Sequence, residues 1–403
     1  MDNNGKLRND VDIVINQLVV DINPYERTKD CIKNLHFNDG RIILVSIGKA
    51  AWTMGKAICD NLPVDIGAII TKYKHSQGDI DNTKIFEAGH PITDENSIKA
   101  TEYVLDITKD LKENENVILC ISGGGSALFE KPLIPLNVLQ NINNQLIKSG
   151  ADINEINIIR KRLSSVKAGR FALHCAPANI QTIILSDVIG NDLSTIASGP
   201  VSIDTVDNNR ALEIIDKYHI EMDDEIKELL KKETPKKINN VETHIIGSVE
   251  GLCNYTKAAL GKLGYESHII QDDCKDNVAD IAKRFNELLK QNNKHNQAYI
   301  IGGESVVNVK GNGLGGRNTE LALLCAEFIK DDNVCIFTFG SDGTDGPTDA
   351  AGGYVDSNTY SKINVKEYLN NNDSYHALEK TNGLIITGPT GSNVSDVYVL
   401  LIK

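Results

Sequence analysis

Aromatic residues are scarce in this chain of 403 residues: Phe, Tyr and Trp together make up 5%, with a single Trp. Positive charge is also in deficit, with 42 Lys and Arg against 55 Asp and Glu and a formal charge of −13. Such a surface repels phosphate backbones and acidic lipid, which excludes nucleic-acid and membrane-surface roles. It does not exclude a small anionic substrate, because a site can be locally basic on an acidic protein. The opening residues MDNNGKLRND lack the apolar core of a secretory signal. Nowhere is there a run of about 18 apolar residues that would span a bilayer. There is no CxxC pair. The eight cysteines are scattered, several in strand-like apolar runs such as VILCIS (Cys120) and VCIFTF (Cys335). They read as buried free thiols of a reducing compartment, not as disulfides or zinc ligands. Solenoid repeats and low-complexity tracts are missing too. A soluble cytoplasmic protein is the expectation.

What is present is core-forming material: 41% of the residues are hydrophobic, enough for globular packing. At about 150 residues per domain, the length suggests two or three domains, or two large ones. Short β-branched runs alternate with helical patterns. Strands are expected at 42–47, 66–71, 117–122, 182–186, 243–246, 298–301, 334–339 and 384–387. Helical stripes lie between several of them, as in Val278, Ile281, Ala282, Phe285, Leu288 and Leu289. Nearly continuous apolar strands between helices imply parallel sheets covered on both faces. The charged stretch KKETPKKINN, residues 231–240, marks a boundary, giving domains 1–238 and 239–403.

Glycine clusters fall just after the strands, where open α/β sheets bind ligands. In VSIGKAAW, Gly48 permits a tight turn and places Lys49 at a helix N-terminus. A lysine there opposes the helix dipole, so its presence asks for an anionic partner. The run is not a Walker A loop, which needs GxxxxGK[ST]. Three glycines between serines follow the strand expected at 117–122: Ser122, Gly123, Gly124, Gly125 and Ser126 suit a backbone nest around an anion. In LSDVIGND, Asp187 ends a strand and suits a general base, a metal ligand or a turn residue. The stretch KGNGLGGRNTEL formally satisfies GxGxxG through Gly311, Gly313 and Gly316, but a lone match is weak. Arg317, at the start of the following helix, suggests a guanidinium aimed at a phosphoryl or carboxylate group. Finally, SDGTDGPTDAAGG concentrates Asp342, Asp345 and Asp349 without EF-hand spacing. It suits magnesium held by one or two carboxylates plus ligand phosphates.

Phosphoryl transfer depends mostly on positioning and on cations that neutralise developing charge. Lys49, Arg317, the Gly/Ser loop and the aspartates supply that inventory, split between the two halves; the site is therefore expected in the cleft between them. The strings VSIGKAAWTMGKA, GHPITDENS, CISGGGSALFEKP, LSDVIGNDLSTIASGP, GGRNTELALL, SDGTDGPTDAAGG and TGPTGSNVSDVYVLL, in this order from Ile42 to the last residue, closely resemble the type II glycerate 2-kinase family with its C-terminal MOFRL domain.

The resemblance implies an α/β fold, with a Rossmann-like N-terminal parallel sheet and a smaller α/β MOFRL-containing domain. It implies ATP-dependent phosphorylation of D-glycerate, typically to 2-phosphoglycerate, with Mg²⁺ as the divalent metal. It places the family's active-site lysine on Lys49 and its arginine on Arg317, with Asp187 carried over as well. Substrate or nucleotide contacts are expected from Gly48, the Ser122–Ser126 loop, Gly313, Gly315, Gly316 and Asn318, and metal contacts from Asp342 and Asp345. A homo-oligomer is compatible with the sequence. There are two departures: Thr319 stands where the family usually has Gln after GGRN, a helix-start position expected near substrate, and the segment before Arg41 carries no motif that resembles the family. The competing reading is an NAD(P)H-dependent hydroxypyruvate reductase using Gly311–Gly316 as its dinucleotide loop.

Overall fold

The computed structural model describes residues 3–292 and 294–403. The chain divides into two units: Pro24–Ile246, and a discontinuous one joining the residues up to Asn23 with Gly247–Lys403.

The first unit is built on β1 (Ile42–Ile47), β2 (Ile66–Lys72), β3 (Thr83–Ala88), β4 (Asn116–Ile121), β5 (Asn179–Leu185) and β6 (Val241–Gly247). Their order across the sheet is β3-β2-β1-β4-β5-β6, and β1 through β5 pair in parallel. This is the Rossmann order, with its topological switch between β1 and β4. Every residue of β1 and β4 is buried, as expected of central strands covered on both faces. Ile43, Val45, Val117, Leu119, Phe129 and Phe171 belong to the resulting core. A long helical interlude precedes Ala176. Its helices Leu136–Lys148 and Ile153–Arg162 close a separate small core with Asn208–Lys217 and Asp224–Leu230, through Leu139, Ile142, Ile159, Ile214 and Leu230. Asp152 starts the second of these helices with a capping box, in which Glu155 is the reciprocal partner.

The second unit carries β7 (Glu266–Cys274), β8 (Gln297–Gly303), β9 (Val334–Gly340), β10 (Gly352–Asp356), β11 (Leu384–Ile385) and β12 (Asp396–Ile402). Their order is β11-β10-β9-β12-β8-β7. Here the expectation of an all-parallel sheet is corrected: only β7 and β8 pair in parallel, and the other four pairings are antiparallel. The reason is connectivity. Parallel neighbours need a long crossover, usually helical. The links from β9 to β10 and from β11 to β12 contain no helix, so the chain re-enters the sheet reversed.

The domain limits also move. Val241–Gly247 is not the start of a new unit but the edge strand beside β5, tied in where Ile180 N donates to Asn240 O at 2.8 Å. The N-terminal helix Asn3–Asp21 belongs to the second unit. It buries Leu7, Val11, Val14 and Leu18, and the Tyr265 hydroxyl donates to Asp10 Oδ2 at 2.8 Å. All eight cysteines are unpaired, and all but Cys59 are buried. Among the described residues, no helix is long and apolar enough to cross a membrane.

Candidate active site

The switch between β1 and β4 brings together the first two glycine-bearing loops. Gly48 has φ +114°, and a Cβ there would lie 2.4 Å from Ser122 O, so this turn admits only glycine. The loops are interlocked: Lys49 N donates to Gly123 O at 2.8 Å and Ala50 N to Ser122 Oγ at 3.0 Å. No side chain caps the helix Ala51–Asn61 that follows Lys49. The triple glycine permits close approach from two sides. A Cβ on Gly123 would sit 2.4 Å from Asp187 Oδ2. One on Gly124, at φ +89°, would sit 2.9 Å from His90 Cδ2 and 3.5 Å from Lys49 Cγ. Lys49, His90 and Asp187, from the ends of β1, β3 and β5, thus converge on the Ser122–Ser126 loop.

His90 is a member of this group that single-residue reasoning passed over, although it stands inside the GHPITDENS motif. Burial pushes its pKa down, and the charges of Lys49, Lys72 and His75 push it further the same way. An imidazole held toward its neutral form, with Lys49 and Lys72 near enough to act on it, marks a locally positive site on an acidic protein. Lys167 is a second omission. It is fully buried, and its ammonium donates to Ser126 O at 2.8 Å and Phe129 O at 3.1 Å while pairing with Glu130 at 3.3 Å. It holds the carbonyl end of the short helix Gly125–Leu128 and so fixes the loop from beneath. Ser126 Oγ lies 2.9 Å from Ser198 Oγ. Ser198 sits in a turn where Ala197, Ser198 and Gly199 all have positive φ, a strained arrangement of the kind that clusters at functional sites.

In the second unit, Arg317 opens the helix Arg317–Cys325. Its Nε donates to Asp396 Oδ2 at 2.6 Å, one terminal nitrogen to Asp396 Oδ1 at 3.3 Å and the other to Glu304 Oε1 at 2.7 Å. Asp396 begins β12 and Glu304 follows β8, so two strand ends aim the guanidinium. Burial works against the Arg317 charge, but Asp396 and Glu304 outweigh it and raise its pKa. Asp396 is buried, which pushes its carboxyl up to about 6 against the pull of Arg317. Its other partner is the Tyr398 hydroxyl at 3.1 Å. Neither carboxylate was anticipated, since nothing in sequence distinguishes them from turn or surface acids. Next to Arg317, Asn318 is 1% exposed, and its Oδ1 has no partner.

Other expected residues are placed differently. Asp345, expected to bind metal, is 2% exposed and caps a helix. Its Oδ1 accepts from Asn318 N at 3.0 Å, and its Oδ2 accepts from Thr319 N and Thr319 Oγ1, both at 2.7 Å. A carboxylate serving three donors has little capacity left for a cation. Thr319, expected near substrate, is fully buried between Asp345 and Ser374 Oγ (2.9 Å). Asp342 is half-buried and accepts from Thr344 N at 3.0 Å. Among the described residues, no group of three or more His, Cys, Asp or Glu is placed to hold a metal ion.

The Gly311–Gly316 loop does not make a dinucleotide cradle. Its amides are already taken: Lys310 N and Gly311 N by Asn372 Oδ1 (2.7 and 2.9 Å), Asn312 N by Asn371 Oδ1 (3.2 Å), Gly313 N by Asn371 O (2.8 Å) and Leu314 N by Asp373 Oδ1 (3.0 Å). Its glycines make room for protein neighbours. A Cβ on Gly313 would meet Asp373 Cβ at 2.4 Å, one on Gly315 Ser374 Oγ at 2.2 Å, and one on Gly316 Asp345 Oδ1 at 2.3 Å. The pyrophosphate of a dinucleotide needs those amides and the helix N-terminus behind them, and here Asp345 caps that terminus.

A Rossmann-type sheet with anion-seeking loops at its switch point, followed by a second α/β unit with a carboxylate-held arginine, defines a two-unit enzyme acting on a small anionic substrate. Comparison with known proteins narrows the class. A family described as a domain of unknown function, DUF4147, matches residues 10–231, and the MOFRL family matches residues 297–396. A D-glycerate 2-kinase from Thermotoga maritima is 44% identical, over 96% of this chain and 97% of its own length. A glycerate 2-kinase from Pyrococcus horikoshii is 38% identical, over 90% of this chain and 88% of its own. The crystal structure of a Thermotoga maritima glycerate kinase superposes with a TM-score of 0.95 at 42% identity, covering 99% of this chain and all of that one. The chain belongs to the glycerate 2-kinase family, with its DUF4147 and MOFRL domains.

Proposed function

We propose that this protein is an ATP-dependent kinase that phosphorylates D-glycerate to 2-phosphoglycerate. The observation that carries the reading is the convergence of Lys49, His90 and Asp187 on the Ser122–Ser126 loop at the β1/β4 switch. It offers backbone donors and positive charge for an anion, beside a carboxylate that can serve an attacking hydroxyl. Lys49 and Arg317 divide the γ-phosphoryl group and the glycerate carboxylate between them. Asp187 orients the substrate hydroxyl and takes its proton as the new oxygen–phosphorus bond forms and the bond from the γ-phosphorus to the bridging oxygen breaks, releasing ADP. Glu304 and Asp396 hold Arg317 in its working direction. Asp342 is the carboxylate with capacity for Mg²⁺, which when bound would supply charge neutralisation on the nucleotide phosphates. The unpaired cysteines suit the reducing cytoplasm.

The test combines three assays. ADP release with ATP and D-glycerate measures turnover, phosphorus NMR identifies the product, and NAD(P)H with hydroxypyruvate probes the reductase reading. Lys49→Ala is expected to lower kcat by about two to four orders of magnitude with an unchanged melting temperature. Near-normal turnover in that variant removes the lysine from the mechanism. Hydride transfer without ADP formation overturns the kinase.

A further inference from the structure

Outside these loops, one cavity of the first unit combines features that the kinase reading leaves unused. It has a volume of about 390 Å³ and lies between the helices Leu136–Lys148 and Ile153–Arg162 and the loop Pro91–Thr93. Its walls are apolar: Leu136, Leu139 and Ile156, with Ile92, Ile147 and Ile153 each more than 60% exposed. Three exposed isoleucines around one hollow are more than the singly scattered apolar residues of an ordinary surface. The charged residue of the lining is Arg160. Its Nε is buried without a partner, and Asn143 Oδ1, on the facing helix, is likewise unpartnered. Glu130, the acid whose charge acts on Arg160, is ion-paired to Lys167 instead. A partly buried guanidinium met only by the distant charge of Glu130, with no hydrogen bond at its Nε, is incompletely compensated, and an anion entering the cavity would offset that cost.

We propose that this cavity is a binding site for a small monocarboxylate with an apolar chain, its carboxylate on Arg160 and its chain against Ile92, Ile147, Ile153 and Ile156. The size is within the range of small-molecule sites, and a planar guanidinium suits a carboxylate. The site also borders the loop that carries His90. Gln140 Nε2 donates to Thr93 O at 3.0 Å, and the loop that Thr93 belongs to carries His90. Occupancy would therefore bear on the residue packed against Gly124.

The experiment is calorimetric titration of the full chain with hexanoate and with hexan-1-ol, repeated in the presence of ATP or D-glycerate. Hexanoate is expected to bind at least about tenfold more tightly than the alcohol, the fold-change that one charge-assisted hydrogen bond supplies. Arg160→Gln should abolish that preference, and Ile147→Asp, on an exposed position, should weaken both probes without changing turnover. Should Arg160→Gln fail to fold, Ile147→Asp and the alcohol comparison still decide. Equal binding of the two probes, a preference kept in Arg160→Gln, or no binding of hexanoate would overturn the proposal. So would displacement by ATP or D-glycerate, which would assign the cavity to the kinase site. Self-association of the wild type that is lost in Ile147→Asp would overturn it too, by making this face an interface between copies.

Discussion

Replacing Gly123 by alanine tests whether the triple glycine exists to let Asp187 approach. Gly123 is not among the residues with positive φ, so alanine fits the backbone and the effect is purely one of space. The new methyl would lie 2.4 Å from Asp187 Oδ2 and 3.1 Å from its Cγ. Since carbon–oxygen contacts do not fall much below about 3 Å, the carboxylate must retreat by roughly 0.6–1 Å. A displacement of that size at a reacting group costs about 100-fold in kcat. The stability cost should stay within about 1–3 kcal/mol, as for other overpacked sites. Turnover would be followed as ADP release at varied D-glycerate, with thermal unfolding as the control for folding. The decisive comparison is with Asp187→Ala. If Gly123→Ala acts through Asp187, it should add almost nothing in that background. Wild-type kcat in Gly123→Ala would refute the reasoning. So would a full additive penalty in the double variant.

Asp396 and Lys167 yield further predictions. With the Asp396 carboxyl at about 6, lowering the pH through 6 discharges it and leaves Arg317 with Glu304 as its charged partner, so kcat should fall on the acid side. Asp396→Asn should be slow and flat across that range, and an unchanged acid limb in this variant would count against the assignment. Stability should move the opposite way. Because the folded-state value lies above the free-carboxyl value of 3.8, the group's contribution is fully present below about pH 4 and lost as the pH rises through 6. Lys167→Met leaves Glu130 buried without its partner and should cost about 3–5 kcal/mol in urea unfolding. Adding Glu130→Gln should recover most of that loss; simple additivity would show that the pair is not coupled.

The sequence made the first sheet legible because parallel strands buried on both faces read as unbroken apolar runs; β1 and β4 are the clearest cases. The strands it left out are instructive. β3 (TKIFEA) and β7 (ESHIIQDDC) lie at sheet edges and are only partly buried, so they carry few consecutive apolar residues. β10 begins with two glycines. β12 (DVYVLLI) is fully buried at the centre of its sheet, but it directly follows a glycine-rich loop and reads as that loop's tail. At the site, Gly48 and Lys49 were visible through their place at a strand end. Asp345 was ambiguous because a loop aspartate looks the same whether it binds a cation or caps a helix, and the positions of the Asn318 and Thr319 amides are what reveal the cap. Lys167 was invisible for the opposite reason: a lysine reads as surface until two carbonyls and a glutamate are seen around it. The GxGxxG match shows that glycine spacing records close approach without naming what approaches; in this loop it is the 371–374 segment and Asp345.

The discontinuity of the second unit bears on how the protein is made. Its first helix, Asn3–Asp21, leaves the ribosome well before any strand of its own sheet, and the whole of Pro24–Ile246 is synthesised in between. That intervening unit contains all its own strands and can fold while translation continues. The helix meanwhile keeps Leu7, Val11, Val14 and Leu18 without the surface that later buries them. The helix packs on the helix Val249–Lys262 and on β9, and β12, which joins β9 to β8, is the last strand of the sheet in chain order, so the finished surface forms late. Nascent chains stalled before Asp396 should therefore carry a protease-resistant 24–246 unit together with an exposed apolar helix, a natural target for a holding chaperone.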